Sequence, residues 1–391
     1  MIRKLQIIVL ASLILFTGTI FAQSDETKIN LSLAKEIDHS IKEGLKWQYS
    51  QQEDDGSWQH YPAITALVLS SYLRAHPSIS INEPAIYNGF EFLKSCVQAD
   101  GGIYLDDMPN YNTAICLVAF KDANYEGFDQ IIKNAEDYLM GLQIDESDDF
   151  TPDSLFYGGV GYGGDERPDL SNLQWAIEAM AMDDVKTVDP EKNLSPEENE
   201  RLQSKKLFYD EALVFLAKCQ NLQSVNQEAY AQNDGGFMYE PGASKAGGTN
   251  SYGSMTYAGL KSMIYANVDK NDDRVQNAFD WIRTNYSVET TPRMENQGLY
   301  YYYQTMAKSL NIMDIEVIEA TTGQEHHWRS ELANQIIKIQ SPEGFWINQN
   351  GRWWENNPVL VTAYAVLALE EIAGLPESTT IKKREMIFKS K

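Results

Sequence analysis

Three carboxylates, Asp107, Asp169 and Glu355, each stand at or just before the start of an apolar stretch with helical periodicity. Tyr111, Tyr252 and Tyr301 stand at similar starts, and Asn112, Asn172, Arg352, Trp353 and Trp354 lie close by. A carboxyl group withdrawn from water keeps its proton toward neutral pH and can then protonate an alkene or a glycosidic oxygen. Large aromatic rings stabilise a passing cation with their π faces, and the same faces stack on sugar rings. These residue types therefore suit two chemistries, alkene protonation and glycan cleavage. Asp169 also has a plainer role open to it, since after Pro168 it is placed to cap the amides that follow. Tyr300 to Tyr303 are consecutive, so on a helix at most two of them face one side.

Residues so far apart in sequence meet only if the elements carrying them surround one point. Six times the chain writes an amphipathic helix, a turn with Gly or Pro, and a more apolar helix. The amphipathic helices are predicted over Leu33–Gln52, Pro84–Gln98, Gly127–Gln143, Ser204–Asn221, Asp273–Tyr286 and Glu325–Gln340. Their apolar positions recur three and four apart with charges between, the pattern of a helix with one wet face. The second helices begin near Tyr61, Asn110, Asp169, Tyr252, Gly298 and Pro358. Stretches such as Ala63 to Leu69 and Leu360 to Leu369 are apolar nearly all round, which predicts burial on most sides. One wet and one buried helix per unit, in six copies, predicts two concentric rings. Closing the ring also removes the exposed ends that open helical arrays must cap.

Between the helices of a unit sits a recurring punctuation: Gln52 to Gly56 and Trp58, Gln98 to Gly102 and Tyr104, Gln232 to Phe237, and Gln340 to Gly344 and Trp346. Its physical sense is a helix stop, in which Gly turns the chain, the Gln amide satisfies orphan carbonyls and the aromatic packs back. The third unit keeps only Gln143 before a long acidic insertion that ends at Gly158 to Gly164. This punctuation resembles the Gln-Trp repeat of the prenyltransferase and squalene oxidase group, over about Leu33 to Gly374. The ending, from Trp328 through Gly344, Trp346 and Trp353-Trp354-Glu355 to Thr362-Ala363-Tyr364-Ala365, is similar to squalene-cyclase C-terminal sequences. The resemblance implies an all-α fold, an α/α toroid of six helical hairpins with a central cavity whose mouth is ringed by the inner-helix starts.

The chemistry of the relatives can be tested letter by letter. Protein prenyltransferases hold zinc with an Asp-x-Cys pair and a His in a Tyr-His-Thr context. Here the matching stretch reads Tyr111-Asn112-Thr113, no Asp-x-Cys occurs, and His326 and His327 would diverge by about 100° on a helix. No metal and no cofactor are expected, and protein prenylation is rejected. Class II terpene cyclases protonate an alkene with an Asp-x-Asp-Asp motif followed by Thr-Ala. The nearest text is Asp106-Asp107 with Thr113-Ala114 after five intervening residues, so the motif is broken, while Asp145 to Asp149 has the wrong spacing. The Cys-Gly-Glu-Gln segment of thioester toroids is absent.

Composition bounds the partners. The formal charge is −24, from 32 Lys and Arg against 56 Asp and Glu, which argues against nucleic acid and against charge-held binding to an anionic membrane. Residues 1–22 read as a secretory signal: Arg3 and Lys4, an apolar core from Ile7 to Phe16, and small Ala22 before polar Gln23 to Thr27. Cleavage near Ala22 would deliver a secreted or periplasmic protein, with residues 375–391 forming a basic tail. Cys96, Cys116 and Cys219 form no disulfide framework and read as small core residues. The partner expected is an apolar or amphipathic, isoprenoid-like small molecule, or else a glycan, with no obligatory partner subunit. A terpenoid-cyclase-like protein is the leading reading, with a carbohydrate-active toroid and a non-catalytic binding toroid as alternatives. A cavity walled by aliphatic and aromatic side chains favours the first, paired carboxylates across a groove the second, and a plugged centre the third.

Overall fold

The computed structural model describes residues 29–75, 80–163, 167–181 and 194–374. The expected signal segment 1–22, the expected tail 375–391 and the two acidic residues Asp165 and Glu166 before Pro168 lie outside them. Twelve α-helices alternate between two layers among the described residues. The outer ones are α1 (Leu31–Tyr49), α3 (Pro84–Ser95), α5 (Asp129–Met140), α7 (Pro196–Cys219), α9 (Asp273–Asn285) and α11 (Trp328–Lys338). The inner ones are α2 (Pro62–Ala75), α4 (Pro109–Ala123), α6 (Leu170–Ala181), α8 (Gly253–Tyr265), α10 (Leu299–Ile312) and α12 (Pro358–Ala373). Each inner helix packs on the next, and α12 packs back on α2, so the inner ring closes. The fold is an all-α toroid of two concentric rings.

Patterning explains the two layers. On α1 the buried residues Leu33, Ile37, Ile41, Leu45 and Gln48 recur three or four apart, leaving the opposite face wet. On α2 every residue from Pro62 to Arg74 is buried, and on α12 every residue from Val359 to Ile372. Inner helices begin within one residue of the predicted starts. Two outer starts differ by more than two residues. Helix α7 begins at Pro196 because Ser195 and Glu198 form a reciprocal capping box two turns before the predicted Ser204. Helix α11 begins at Trp328 because Glu325–His326 pairs as a short strand with Ile318–Glu319. His326 therefore lies on that strand rather than on a helix, and His327 only precedes α11.

In four units a Gln before the turn is a bolt between neighbouring units, whereas Gln98 stays within its own, donating to the carbonyls of Cys96 and Tyr104. The Gln52 amide donates to the Gly56 carbonyl and to Ala85 at the start of α3, both at 2.8 Å. Gln143 reaches Gly158 and Phe208, and Gln220 reaches Gly235 and Arg274. Gln340 donates to Gly344 and to Ser40 of α1, which joins the last unit to the first. The fourth-unit bolt is thus Gln220 and not Gln232, because residues 221–234 are inserted between the Gln and its Gly. Gln232 instead contacts Thr249 and Asn250. Gly158, at φ 77°, leaves no room for a side chain: a Cβ there would lie 1.9 Å from the Glu211 carbonyl oxygen on α7. A second device recurs. Thr65, Thr113, Thr256 and Thr362 on inner helices accept the backbone N–H of Trp58, Ile103, Phe237 and Trp346.

The far end of the ring is sealed by charge. Arg74, Asp122, Glu178, Lys261, Lys308 and Glu371 come one from each inner helix, all buried, three of each sign. Arg74 pairs with Asp122 at 2.9 Å and Glu371 at 3.4 Å, Lys308 joins Glu371 at 3.0 Å to Glu178 at 3.9 Å, and Lys261 pairs with Glu178. Charges taken out of water persist only when paired in this way.

Candidate functional site

The inner helices run the same way, so their N-termini ring one end of the toroid, and a cavity of about 270 Å³ opens there. All six line it: Ala63, Ile64 and Leu67 on α2, Tyr111 on α4, Ser171 on α6, Ser254 and Met255 on α8, Tyr301 on α10, and Leu360 and Tyr364 on α12. The loops before them add Tyr61, Met108, Tyr162, Tyr239, Tyr252, Gly298, Trp353, Trp354 and Glu355. Among the described residues, Glu355 is the one carboxylate in this wall of aromatic and aliphatic groups.

Glu355 ends the short turn Arg352–Trp354 and is 1% exposed. Its Oε1 accepts the N–H groups of Tyr300 and Tyr301, both at 2.9 Å, so it caps α10 from the next unit. Its Oε2 accepts the Asn348 amide at 2.6 Å. Burial raises its pKa to about 7, against the pull of those donors. The group therefore holds a proton on part of the molecules at neutral pH, in a wall facing an apolar cavity. That is the state a general acid requires. Trp353 and Trp354 before it both adopt left-handed backbone, at φ 56° and 64°, a conformation costly for such side chains. Trp354 meets Tyr61 edge to face, and the Arg352 guanidinium lies 4.4 Å from the Trp353 ring centre.

The other predicted site residues divide. Tyr111, Tyr252, Tyr301, Trp353 and Trp354 line the cavity. Tyr111 donates to or accepts from Tyr364 at 2.9 Å. Of the four consecutive tyrosines only Tyr301 faces in, while Tyr302 and Tyr303 turn outward to the carbonyls of Ser287 and Val288. Asp107 sits exposed at the rim, where its Oδ1 accepts the Tyr61 hydroxyl at 3.1 Å. Arg352 is exposed, bonded to Gln297, and outside the lining. Asn112 is not a ligand-facing group: it is buried, accepting the Ala63 N–H at 3.0 Å and donating to the Asp107 carbonyl at 3.0 Å, so it splints α2 to α4. Asn172 is likewise buried, donating to Asp169 at 2.7 Å and accepting from Asn110 at 3.2 Å.

Asp169 lies one layer behind the wall, 3% exposed. Its Oδ1 accepts the Asn172 N–H at 2.9 Å, the capping role foreseen. Burial raises its pKa to about 6, opposed by the bonds from Asn172. The Tyr239 hydroxyl stands 3.4 Å from the Tyr162 hydroxyl, and both tyrosines line the cavity. Sequence reading missed Tyr61, Tyr162, Tyr239 and Tyr364. Tyr61 was visible as the residue before an inner helix, whereas Tyr162 and Tyr239 lie in insertions with no repeat to place them. Among the described residues no cluster of three or more His, Cys, Asp or Glu is placed to hold a metal ion.

No family model matches the sequence, and no curated protein matches it. Solved structures do match. The type II terpene cyclase MstE from Scytonema, in its apo form, aligns with 88% of this chain and 99% of its own, at 12% identity and a TM-score of 0.52. A variant of it in complex with geranylgeranyl dihydroxybenzoate, its substrate, aligns over 88% and 99% at 10% identity and 0.52. A glycosidase variant aligns over 89% and 100% at 11% identity and 0.50. At these identities the likeness is one of fold, and the fold is terpenoid-cyclase-like.

Proposed function

We propose that this protein takes an apolar or amphipathic, isoprenoid-like molecule into the cavity and that Glu355 is the acid that protonates it. The observation carrying the reading is the lining itself: among the described residues, a single buried carboxyl group in a wall of tyrosine, tryptophan and aliphatic side chains. Protonation of an alkene by Glu355 leaves a carbocation, which the faces of Tyr111, Tyr301, Tyr364 and the Trp pair stabilise. No water-activating metal is called for. Glycan hydrolysis needs a second carboxyl group across the scissile bond, and among the described residues the lining supplies Glu355 alone. In the proposed setting the chain acts outside the cytoplasm after cleavage near Ala22, which N-terminal sequencing of the exported protein tests.

The function is tested by incubating the purified protein with C15 to C30 isoprenoids and, separately, with oligosaccharides. The expected result is a cyclised isomer of one isoprenoid, detected at unchanged mass, and its disappearance in Glu355→Gln with binding retained. Sugar release, or isomer formation undiminished in Glu355→Gln, overturns the proposal.

A further inference from the structure

The cavity is two-sided. In the closed inner ring α8 stands opposite α2. The α2 side is aliphatic, with Ala63, Ile64 and Leu67, while the α8 side carries Tyr252 and Ser254. On most inner helices a side chain accepts a first-turn amide: Asn112 on α2, Asp169 on α6, Glu355 on α10 and Asn357 on α12. Helix α8 differs, because Tyr252 before it supplies no side-chain cap. The Gly253 N–H donates to the Pro292 carbonyl at 3.1 Å, and the Thr256 N–H to the Tyr252 carbonyl at 3.0 Å. Between them the Ser254 and Met255 N–H groups have no acceptor among the described residues, and first-turn amides point out of the helix start, toward the mouth. The side chains add donors to the same wall. Ser254 is 4% exposed and Tyr252 2%, both line the cavity, and neither hydroxyl has a partner among the described residues. Buried hydroxyls are ordinarily bonded, so these two are aimed at an occupant of the cavity. Lys245, which makes no ion pair among the described residues, lies with its Nζ 4.0 Å from the ring centre of Tyr239, another lining residue.

We propose that the start of α8 is a subsite for an anionic oxygen head, a carboxylate or a phosphate, held by the Ser254 and Met255 N–H groups and the Ser254 and Tyr252 hydroxyls; this rests on the reading of the cavity given above. The two amides can only donate, and the hydroxyls turn to donate beside them, so the occupant must be rich in acceptors. A helix start also carries about half a positive charge, which selects an anion over a neutral head. Lys245 adds a full positive charge on the same side. With the head at α8, the chain crosses to the aliphatic wall of α2 and Leu360 on α12. Helix α10 stands between α8 and α12, and Glu355 caps its start. The acid therefore meets the chain between head and tail, where an internal double bond lies. The head is held and not transferred, so no bond to it forms or breaks.

Calorimetry on the full chain at pH 7 tests this with three probes: a C15 isoprenoid carboxylic acid, its methyl ester and the C15 isoprenoid monophosphate. The acid and the monophosphate are expected to bind at least about tenfold tighter than the ester, and the tighter of the two identifies the head. Ser254→Asp sets a carboxylate in the subsite, and an acidic group in the first turn suits the helix, so wild-type helicity is expected. That variant is expected to weaken the acid and the monophosphate about tenfold or more and to leave the ester unchanged. Ser254→Ala, which adds no charge, is expected to weaken them by about half as much on the logarithmic scale. Equal binding of acid and ester in wild type, or unchanged acid binding in both variants, overturns the subsite and leaves the cavity reading standing. If none of the three binds, the proposed function fails, and inorganic phosphate at constant ionic strength decides the subsite. It is expected to raise the urea midpoint of wild type but not of Ser254→Asp; an equal effect on both, or none on either, overturns the inference.

Discussion

Replacing Glu355 by Gln separates burial from hydrogen bonding at the centre of the site. The carboxyl group titrates at about 7 in the folded chain against an ordinary 4.5. A folded-state value above the unfolded one means that the native protein keeps a proton through a range where the unfolded chain has released it. The associated stability is fully present below pH 4.5, falls as pH climbs, and is gone above about 7. At about 1.4 kcal/mol per pH unit, the loss over this window is about 3 kcal/mol. The Glu355→Gln variant has no such slope. Its amide oxygen can still accept the Tyr300 and Tyr301 N–H groups, while its NH₂ confronts the Asn348 donor, a fixed cost at every pH. The assay is urea denaturation of wild type and Glu355→Gln from pH 4.5 to 8. Wild-type stability minus variant stability is expected to drop by about 3 kcal/mol and then level. A difference that stays flat refutes the reasoning. One that rises with pH would mean that the amides outweigh burial and that Glu355 is an ionised cap, unfit as an acid.

Lys261→Met leaves the buried Glu178 with only Lys308 among the described residues, at 3.9 Å, and is expected to cost about 3 kcal/mol, with Glu178→Leu added to it restoring part of that in denaturant melts; a double variant no better than the single one contradicts the sealing role. Gln340→Leu removes the two bonds joining the last unit to the first, from its amide to the Ser40 carbonyl and from the Ser40 hydroxyl to its side-chain oxygen, and is expected to cost about 2 kcal/mol, read as an earlier urea midpoint. Thr362→Val leaves the Trp346 N–H buried without its acceptor, for an expected loss of about 1–3 kcal/mol by the same measurement.

The architecture was legible because it repeats. Apolar periodicity separated wet helices from buried ones, and the Gln punctuation marked the turns, so the inner starts were placed to within a residue. The punctuation misled twice: Gln98 bonds only within its own unit, and an insertion parted Gln220 from Gly235 so that a nearer Gln232 took its place in the pattern. The site was legible in part, since helix starts in a closed ring must share one end, which brought Tyr252, Tyr301 and Glu355 together. What position alone could not show was depth. Asp107, Asp169 and Glu355 all stand at inner starts, yet one is exposed at the rim, one lies behind the wall and one is in it. Depth depends on the loop that precedes each helix. Asn112 and Asn172 were drawn inward by the same loops, where their amides satisfy backbone and carboxylate groups that would otherwise be buried unpaired. The sealing charges went unnoticed because single ionic residues in the second half of an apolar helix carry no sign that they pair across the ring.

The most direct test of the central claim is a crystal structure of Glu355→Gln with a C20 isoprenoid. The account predicts an extended chain between Ile64, Leu67, Tyr111 and Tyr364, one double bond against residue 355 and the chain's opposite side against Tyr239. An empty cavity at saturating ligand, or a chain bound only on the outer surface, would contradict it.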